Sequence, residues 1–288
     1  MKLLFPLFSM LLLVLCASAS AGINDGLIAH WPLDGDGWDL GPYALNGYVT
    51  GAVAGEDVSG FPGGALRFNG EDDVVEVPDQ QLFNAQTLTI TAWIRPDHSS
   101  QWARIVDKYD HVNESGYAFH LNHDTYVSFE FWSQDGEHYS VTSATPISMG
   151  QWIYVAATYD GSMLRLYQDG ELVDDNQAQG PIRHSTRNLS IGNGFDGYHS
   201  WPYAGTIDEV RFYDRALSQS EIAMLVSDAL SLYPDTGPDD APGPGDQPRP
   251  GCSCPDSDHD GVPDAWDACP GTYPGAYTDS TGCPQAGM

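Results

Sequence analysis

Thr87-Leu88-Thr89-Ile90-Thr91-Ala92-Trp93-Ile94-Arg95 alternates strictly, with Leu88, Ile90, Ala92 and Ile94 on one side and Thr87, Thr89, Thr91 and Trp93 on the other. Only an extended strand turns a period of two into two faces, so this stretch sets the fold class. Trp152 to Tyr159 repeats the pattern, with Val155, Ala157 and Tyr159 alternating with Tyr154, Ala156 and Thr158. Moving outward, strand character also marks Leu27 to Leu33, Ala65 to Asn69, Val74 to Val77, Ile105 to Tyr109, Tyr117 to Leu121 and Tyr126 to Trp132. It returns at His138 to Thr142, Met163 to Gln168, Leu189 to Gly192 and Thr206 to Tyr213. Asp135-Gly136, Asp160-Gly161 and Asp169-Gly170 stand between runs at hairpin spacing. Twelve such runs in about two hundred residues predict an all-β, two-sheet antiparallel sandwich, not two small domains. One short helix is expected at the end of this region. Ser218-Gln219-Ser220-Glu221 is a capping box, Leu217 and Ile222 are placed for a hydrophobic staple, and Ile222, Leu225 and Val226 form a stripe to close on the sheet.

The 288 residues carry 40 Asp plus Glu against 11 Lys plus Arg, a formal charge of -29 that argues against nucleic acid as a partner and favours cations. Asp outnumbers Glu 31 to 9, a bias toward the shorter carboxylate of turns and Ca²⁺ loops. Met1 to Ala21 has Lys2, an apolar run from Leu3 to Leu15 and A-x-A sites at Ala17-Ser18-Ala19 and Ala19-Ser20-Ala21, which reads as a secretory signal peptide. Leu15 before Cys16 argues against a lipoprotein box, and no later segment approaches about 18 apolar residues, so no membrane insertion is expected. Cys252, Cys254, Cys269 and Cys283 would remain in an oxidising compartment, where disulfides are expected. Pro234 to Gly251 packs six prolines and four glycines into eighteen residues and reads as a semi-extended linker.

Five stretches together resemble the laminin-G-like jelly rolls of the concanavalin A-like lectin and glucanase superfamily. They are Ile28 to Gly35 (IAHWPLDG), Leu66 to Gly70 with Val74 to Val77, Leu88 to Arg95, Trp152 to Asp160 (WIYVAATYD), and Gly205 to Ser218 (GTIDEVRFYDRALS). They span about residues 24 to 228. The resemblance implies a jelly roll over 24–230, between the signal peptide 1–21 and a linker 231–251, and a frequent structural Ca²⁺. Carried over residue by residue, Asp34 and Asp208 look like its carboxylates, with Asn69 a further candidate; carbonyls and water would complete a shell of six to eight oxygens. The plainer alternative has Asp34 capping a turn before Gly35 and Asp208 paired with Arg211 or another strand cation.

Catalysis finds little support in the residues. Glycosidases on this scaffold set two carboxylates across a cleft, whereas Asp208 and Glu209 are adjacent and expected on opposite faces, and Glu130 stands alone among aromatics. His120 and His123 read as strand or surface histidines, with no further ligand at metal spacing. A non-enzymatic binding role fits better, since sugar recognition uses aromatic platforms with polar neighbours. Phe195 to Gly205 (FDGYHSWPYAG) offers Tyr198, His199 and Trp201, with Trp102 and Trp38 as possible rim and Tyr203 assigned to the core.

In the tail, Asp256, Asp258, Asp260, Asp264 and Asp267 fall at positions 1, 3, 5, 9 and 12 of a loop with Gly261 at 6 and the Val262 carbonyl at 7, the register of an EF-hand-type Ca²⁺ loop. Five carboxylates this close repel, so ordering should be coupled to ion binding. With Cys269-Pro270 and Gly282-Cys283-Pro284, the segment resembles a thrombospondin type 3 repeat (252–288) of the kind common in secreted and envelope proteins of bacteria. That resemblance implies a Cys269 to Cys283 disulfide; Cys252 and Cys254 stay unassigned. The expected protein is secreted or at the cell surface, non-catalytic and Ca²⁺-binding, with a jelly roll for a glycan or surface ligand. The alternatives are an adhesion or assembly module acting on other proteins and, less favoured, a glycoside hydrolase.

Overall fold

A computed structural model describes residues 22–98, 101–122, 125–195 and 199–231. The export segment, His123, Tyr198, the linker, the aspartate loop and the tail cysteines lie outside the described residues. The strands are β1 (Leu27–Trp31), β2 (Tyr48–Thr50), β3 (Val53–Glu56), β4 (Pro62–Asn69), β5 (Val74–Val77), β6 (Leu88–Pro96), β7 (Ala103–Asp107) and β8 (Tyr117–Leu121). They continue with β9 (Val127–Trp132), β10 (His138–Thr142), β11 (Ile153–Tyr159), β12 (Met163–Gln168), β13 (Glu171–Gln177), β14 (Leu189–Ile191) and β15 (Ala204–Tyr213), followed by helix α1 (Gln219–Ser231).

Two antiparallel sheets make the sandwich. The first has the order β13-β12-β11-β6-β15-β4-β3 with β1 on β15, and the second runs β10-β9-β8-β7-β14-β5-β2. β6 lies between β11 and β15, so the alternating stretch that sets the fold is central: Leu88, Ile90, Ala92 and Ile94 are fully buried in the inter-sheet core. They meet Phe119, Phe129 and Phe131 of the second sheet in the same cluster. At the β12–β13 hairpin Asp169 and Gly170 have φ of 48° and 84°, the two left-handed residues of a type I′ turn that follows strand twist.

The helix forms where its signature stands. Ser218 Oγ accepts the Glu221 N–H at 3.3 Å, while Glu221 Oε2 accepts the Ser218 N–H at 2.8 Å. Leu217, Ile222 and Leu225 then pack on Trp93, Tyr154, Ala156, Tyr167 and Tyr213, the outward side chains of the first sheet. The helix thereby covers the part of that face formed by β6, β11, β12 and β15.

Candidate functional site

A bulge gathers charged side chains on the second sheet's outer face. In a regular strand residues three apart face opposite ways, yet Arg104 and Asp107 of β7 share a face and approach to 3.2 Å (Nε to Oδ1). The register slips between Arg104, opposite His120, and Val106, opposite Phe119. The extra residue lets Ile105 and Val106 both enter the core and turns Asp107 back outward, as a bulge does. The next strands add to the same face. Arg104 pairs across with His120, then Ser128 and Thr142; Asp107 pairs with Ala118, then Glu130 and Ser140.

These groups are outside the core yet shielded from water. Arg104 is 4% exposed, with its guanidinium 5.1 Å from the Trp201 ring centre and 5.6 Å from that of Tyr109. Trp201 is held there by the chain: Arg104 N donates to Trp201 O and Trp201 N to Gly194 O, both at 3.0 Å. A Cβ on Gly194 would lie 2.8 Å from Asp107 Oδ2 and 2.9 Å from Arg104 Cγ, so only glycine lets this loop lie on the ion pair. Trp132 Nε1 donates to Tyr109 Oη at 2.6 Å, and its ring lies 4.9 Å from His138.

Burial decides the protonation of this cluster. Arg104 Nη1 can only donate, so His120 Nδ1, 3.0 Å away, accepts, and the neutral ring carries its proton on Nε2. Burial, reinforced by the Arg104 charge, takes His120 down to about 3, and Nε2 finds no protein partner. Burial pushes Glu130 up, but the His138 hydrogen bond (3.0 Å) and Arg104 (3.4 Å) outweigh it and hold the carboxyl near 2. For Asp107 the balance reverses: burial outweighs Arg104 and Arg187 and raises it to about 6. Its Oδ1, although near Arg104 Nε, is poorly aligned with it and receives no hydrogen bond.

Of the aromatic residues expected to meet ligand, Trp102 lies 5.3 Å from the His120 ring and His199 6.1 Å from Trp201, so three fall on this cluster with Trp201. Trp102 is held at φ 62°, an unusual conformation for a bulky residue, and is 38% exposed. Tyr198 lies outside the described residues. Tyr203 is in the core, edge-on to Phe68, as expected. Trp38 is exposed on the loop after β1. Sequence reasoning missed Arg104, Asp107, Tyr109, Trp132 and His138. Glu130 is not isolated as expected; it is the meeting point of Arg104, His120 and His138. The available signal was an arginine and an aspartate bracketing the apolar pair Ile105-Val106.

A second acidic group sits outside the first sheet. The register slips between Asp208, opposite Trp93, and Arg211, opposite Thr91. Ile207 and Val210 enter the core, so Asp208 and Glu209 both lie outside it, contrary to the opposite faces expected of neighbours. Glu209, at φ 53°, binds His30 at 2.9 Å and Arg211, which makes Glu209, not Asp208, the partner of Arg211. Burial, then the charges of Glu209, Asp34 and Asp57, raise Asp208 to about 9, and burial followed by Glu209 raises Asp34 to about 6. Asp208 is buried and Asp34 is exposed at the surface; the two share a negative neighbourhood, which suits a hard dication. Asn69 does not fit: it is at the other end of β4, opposite Ala204, with its Oδ1 accepting the Glu71 N–H at 2.7 Å. Among the described residues no three Asp, Glu, His or Cys side chains gather as a metal-ligand set, so carbonyls and water would have to supply most of any shell.

Residues 69–223 match the family model described as the concanavalin A-like lectin/glucanases superfamily. The chain belongs to this superfamily. Human pappalysin-1 is 22% identical over 179 residues, 56% of this chain, which spans only 11% of that protein. Among solved structures, the binding domain of Paraclostridial Mosquitocidal Protein 1 aligns at TM-score 0.58 and 17% identity, covering 72% of this chain and 53% of the other. Domain 4 of AbnA, a GH43 extracellular arabinanase from Geobacillus stearothermophilus in complex with arabinotriose, aligns at 0.56 and 20% identity, covering 69% and 98%. A structure from work on the entry of botulinum neurotoxin type C, described as dependent on two ganglioside molecules, aligns at 0.54 and 18%, covering 72% and 52%. Likeness at these identities establishes the shared sandwich.

Proposed function

We propose that this superfamily member is an extracellular, non-catalytic carbohydrate-binding module whose ligand lies across the outer face of the second sheet. The observation that carries the reading is Arg104, buried between Asp107 and Glu130 and capped by Tyr109 and Trp201 on the sheet face that α1 does not cover. A buried ion pair offers little stability over an apolar cluster of the same volume, so its place outside the core is better explained by polar recognition. Aromatic faces supply apolar contact for pyranose rings, and planar charged groups supply hydrogen bonds to hydroxyls. The arabinotriose and ganglioside named for the two similar structures support a glycan as the ligand class. Glu130, held ionised near 2, is a poor proton donor at neutral pH, which favours binding over hydrolysis. Glycan-array and calorimetric binding tests the reading: Trp201→Ala should weaken oligosaccharide binding at least tenfold.

Calcium belongs to the same proposal at two places. In the sandwich, Asp34 and Asp208 would hold it and carbonyls and water complete the shell; in the tail, the Asp256 to Asp267 loop would. Binding to the folded domain raises its stability by mass action. Ca²⁺ should therefore raise the melting temperature of the sandwich and EGTA lower it, and Asp208→Asn should remove that response.

A further inference from the structure

Beside the Arg104 cluster a groove of about 820 Å³ opens along the same face. Val74 and Glu76 of β5 and Ser190 of β14 line it, alternating with Val75, Val77, Leu189 and Ile191, which point into the core. Gly194, Phe195 and Ser200 join them from the loop that carries Trp201. Small-molecule sites span roughly 300–1,000 Å³, so the groove is larger than a single sugar ring requires.

Two aromatic rings border this groove with most of their surface in water. Phe195 is 60% exposed, yet its backbone is held firmly. Its carbonyl accepts from Arg187 Nη2, and the Arg187 carbonyl accepts from the buried Lys108 Nζ at 2.6 Å. Tyr48 of β2 is 72% exposed; its neighbour Val49 packs on the core, so Tyr48 faces outward. Register sets Tyr48 opposite Glu76, Glu76 opposite Ser190 and Ser190 opposite Asp107. Tyr48 therefore stands three inter-strand spacings, about 14 Å, from the strand whose Arg104 lies under Trp201. One exposed ring on a surface means little, but these two border a single groove that leads to a third. Between them the lining is polar, with the Ser190 and Ser200 hydroxyls and the Asn193 amide able to meet sugar hydroxyls. Glu71, Asp72 and Glu76 would repel an anionic chain. A ligand of one or two sugar units does not reach from Trp201 to Tyr48, whereas a linear chain of several does.

Resting on the carbohydrate-binding reading above, we infer that the ligand is an extended, uncharged linear oligosaccharide that runs along the groove and stacks on Phe195 and Tyr48 as well as on Trp201. The test is calorimetry with the full chain at neutral pH, comparing the dimers and hexamers of cello-, xylo-, manno- and arabino-oligosaccharides, with hexagalacturonate as an anionic chain. In whichever neutral series binds, the hexamer should bind about tenfold or more tighter than the dimer. Tyr48→Ala should cut the hexamer's affinity at least threefold while leaving the dimer's unchanged, and Tyr48→Phe, which keeps the ring, should restore it. Phe195→Ala should likewise weaken the hexamer. Both rings are exposed and the anchors of Phe195 are backbone groups, so melting temperatures should stay close to that of the native chain.

Equal affinity of the native chain for dimer and hexamer would overturn the inference and leave the carbohydrate-binding reading intact. So would a hexamer affinity undiminished in either Tyr48→Ala or Phe195→Ala, or hexagalacturonate binding tighter than every neutral hexamer. Binding of no sugar would overturn both.

Discussion

Arg104 is the residue on which the second sheet's outer face depends. Removing one partner of a buried pair strands the other, so Arg104→Met should cost about 3–5 kcal/mol in denaturant unfolding; a cost under about 1 kcal/mol would mean that Asp107 and Glu130 reach water. His120, beside Arg104, Glu130, His138 and Trp102, sits near 3 in the fold against an ordinary 6.5. As pH falls through that interval the unfolded chain takes up the proton first, and stability is lost. Asp107 acts oppositely: near 6 in the fold against 3.8, it protonates first in the folded state and adds stability on the way down. Glu130, near 2 against 4.5, again loses stability below 4.5. Urea unfolding across these pH values should therefore show a shallower acid decline for His120→Gln and a steeper one between about 6 and 4 for Asp107→Asn.

At the scale of elements, legibility followed burial. Strands with one apolar and one polar face, such as β6 and β11, were readable because core contact imposes the alternation; β5, β8, β10 and β12 have the expected bounds. β2, β3 and β13 were not foreseen, being largely exposed at or near sheet edges, where neither Tyr48-Val49-Thr50 nor Glu171 to Gln177 needs an apolar face. The two bulges were equally illegible, since an extra residue shows only against its partner strand. They carry Arg104 with Asp107, and Asp208 with Glu209, which is why the aromatic rim of the candidate site was partly anticipated and its charged centre was not. Local chemistry did reveal α1. Ser218→Ala should cost about 1 kcal/mol and Ile222→Ala about 2–5 kcal/mol by thermal or urea unfolding, with glycan binding retained below the transition. Loss of binding in Ile222→Ala while folded would place the ligand on the wrong sheet.

For the whole molecule, the two sheets differ: the first packs part of its outer face under α1, and the second carries a polar, ring-lined face beside an acidic groove. A charge of -29 keeps such a chain soluble and steers cations toward it, a contribution that salt should screen, whereas stacking on Trp201 should persist. The most direct measurement is oligosaccharide affinity of the native chain, Trp201→Ala and Ile222→Ala, each held well below its melting temperature. The account predicts binding by the native chain and Ile222→Ala and at least a tenfold loss in Trp201→Ala. Binding by none of them, or undiminished binding by Trp201→Ala, would contradict it.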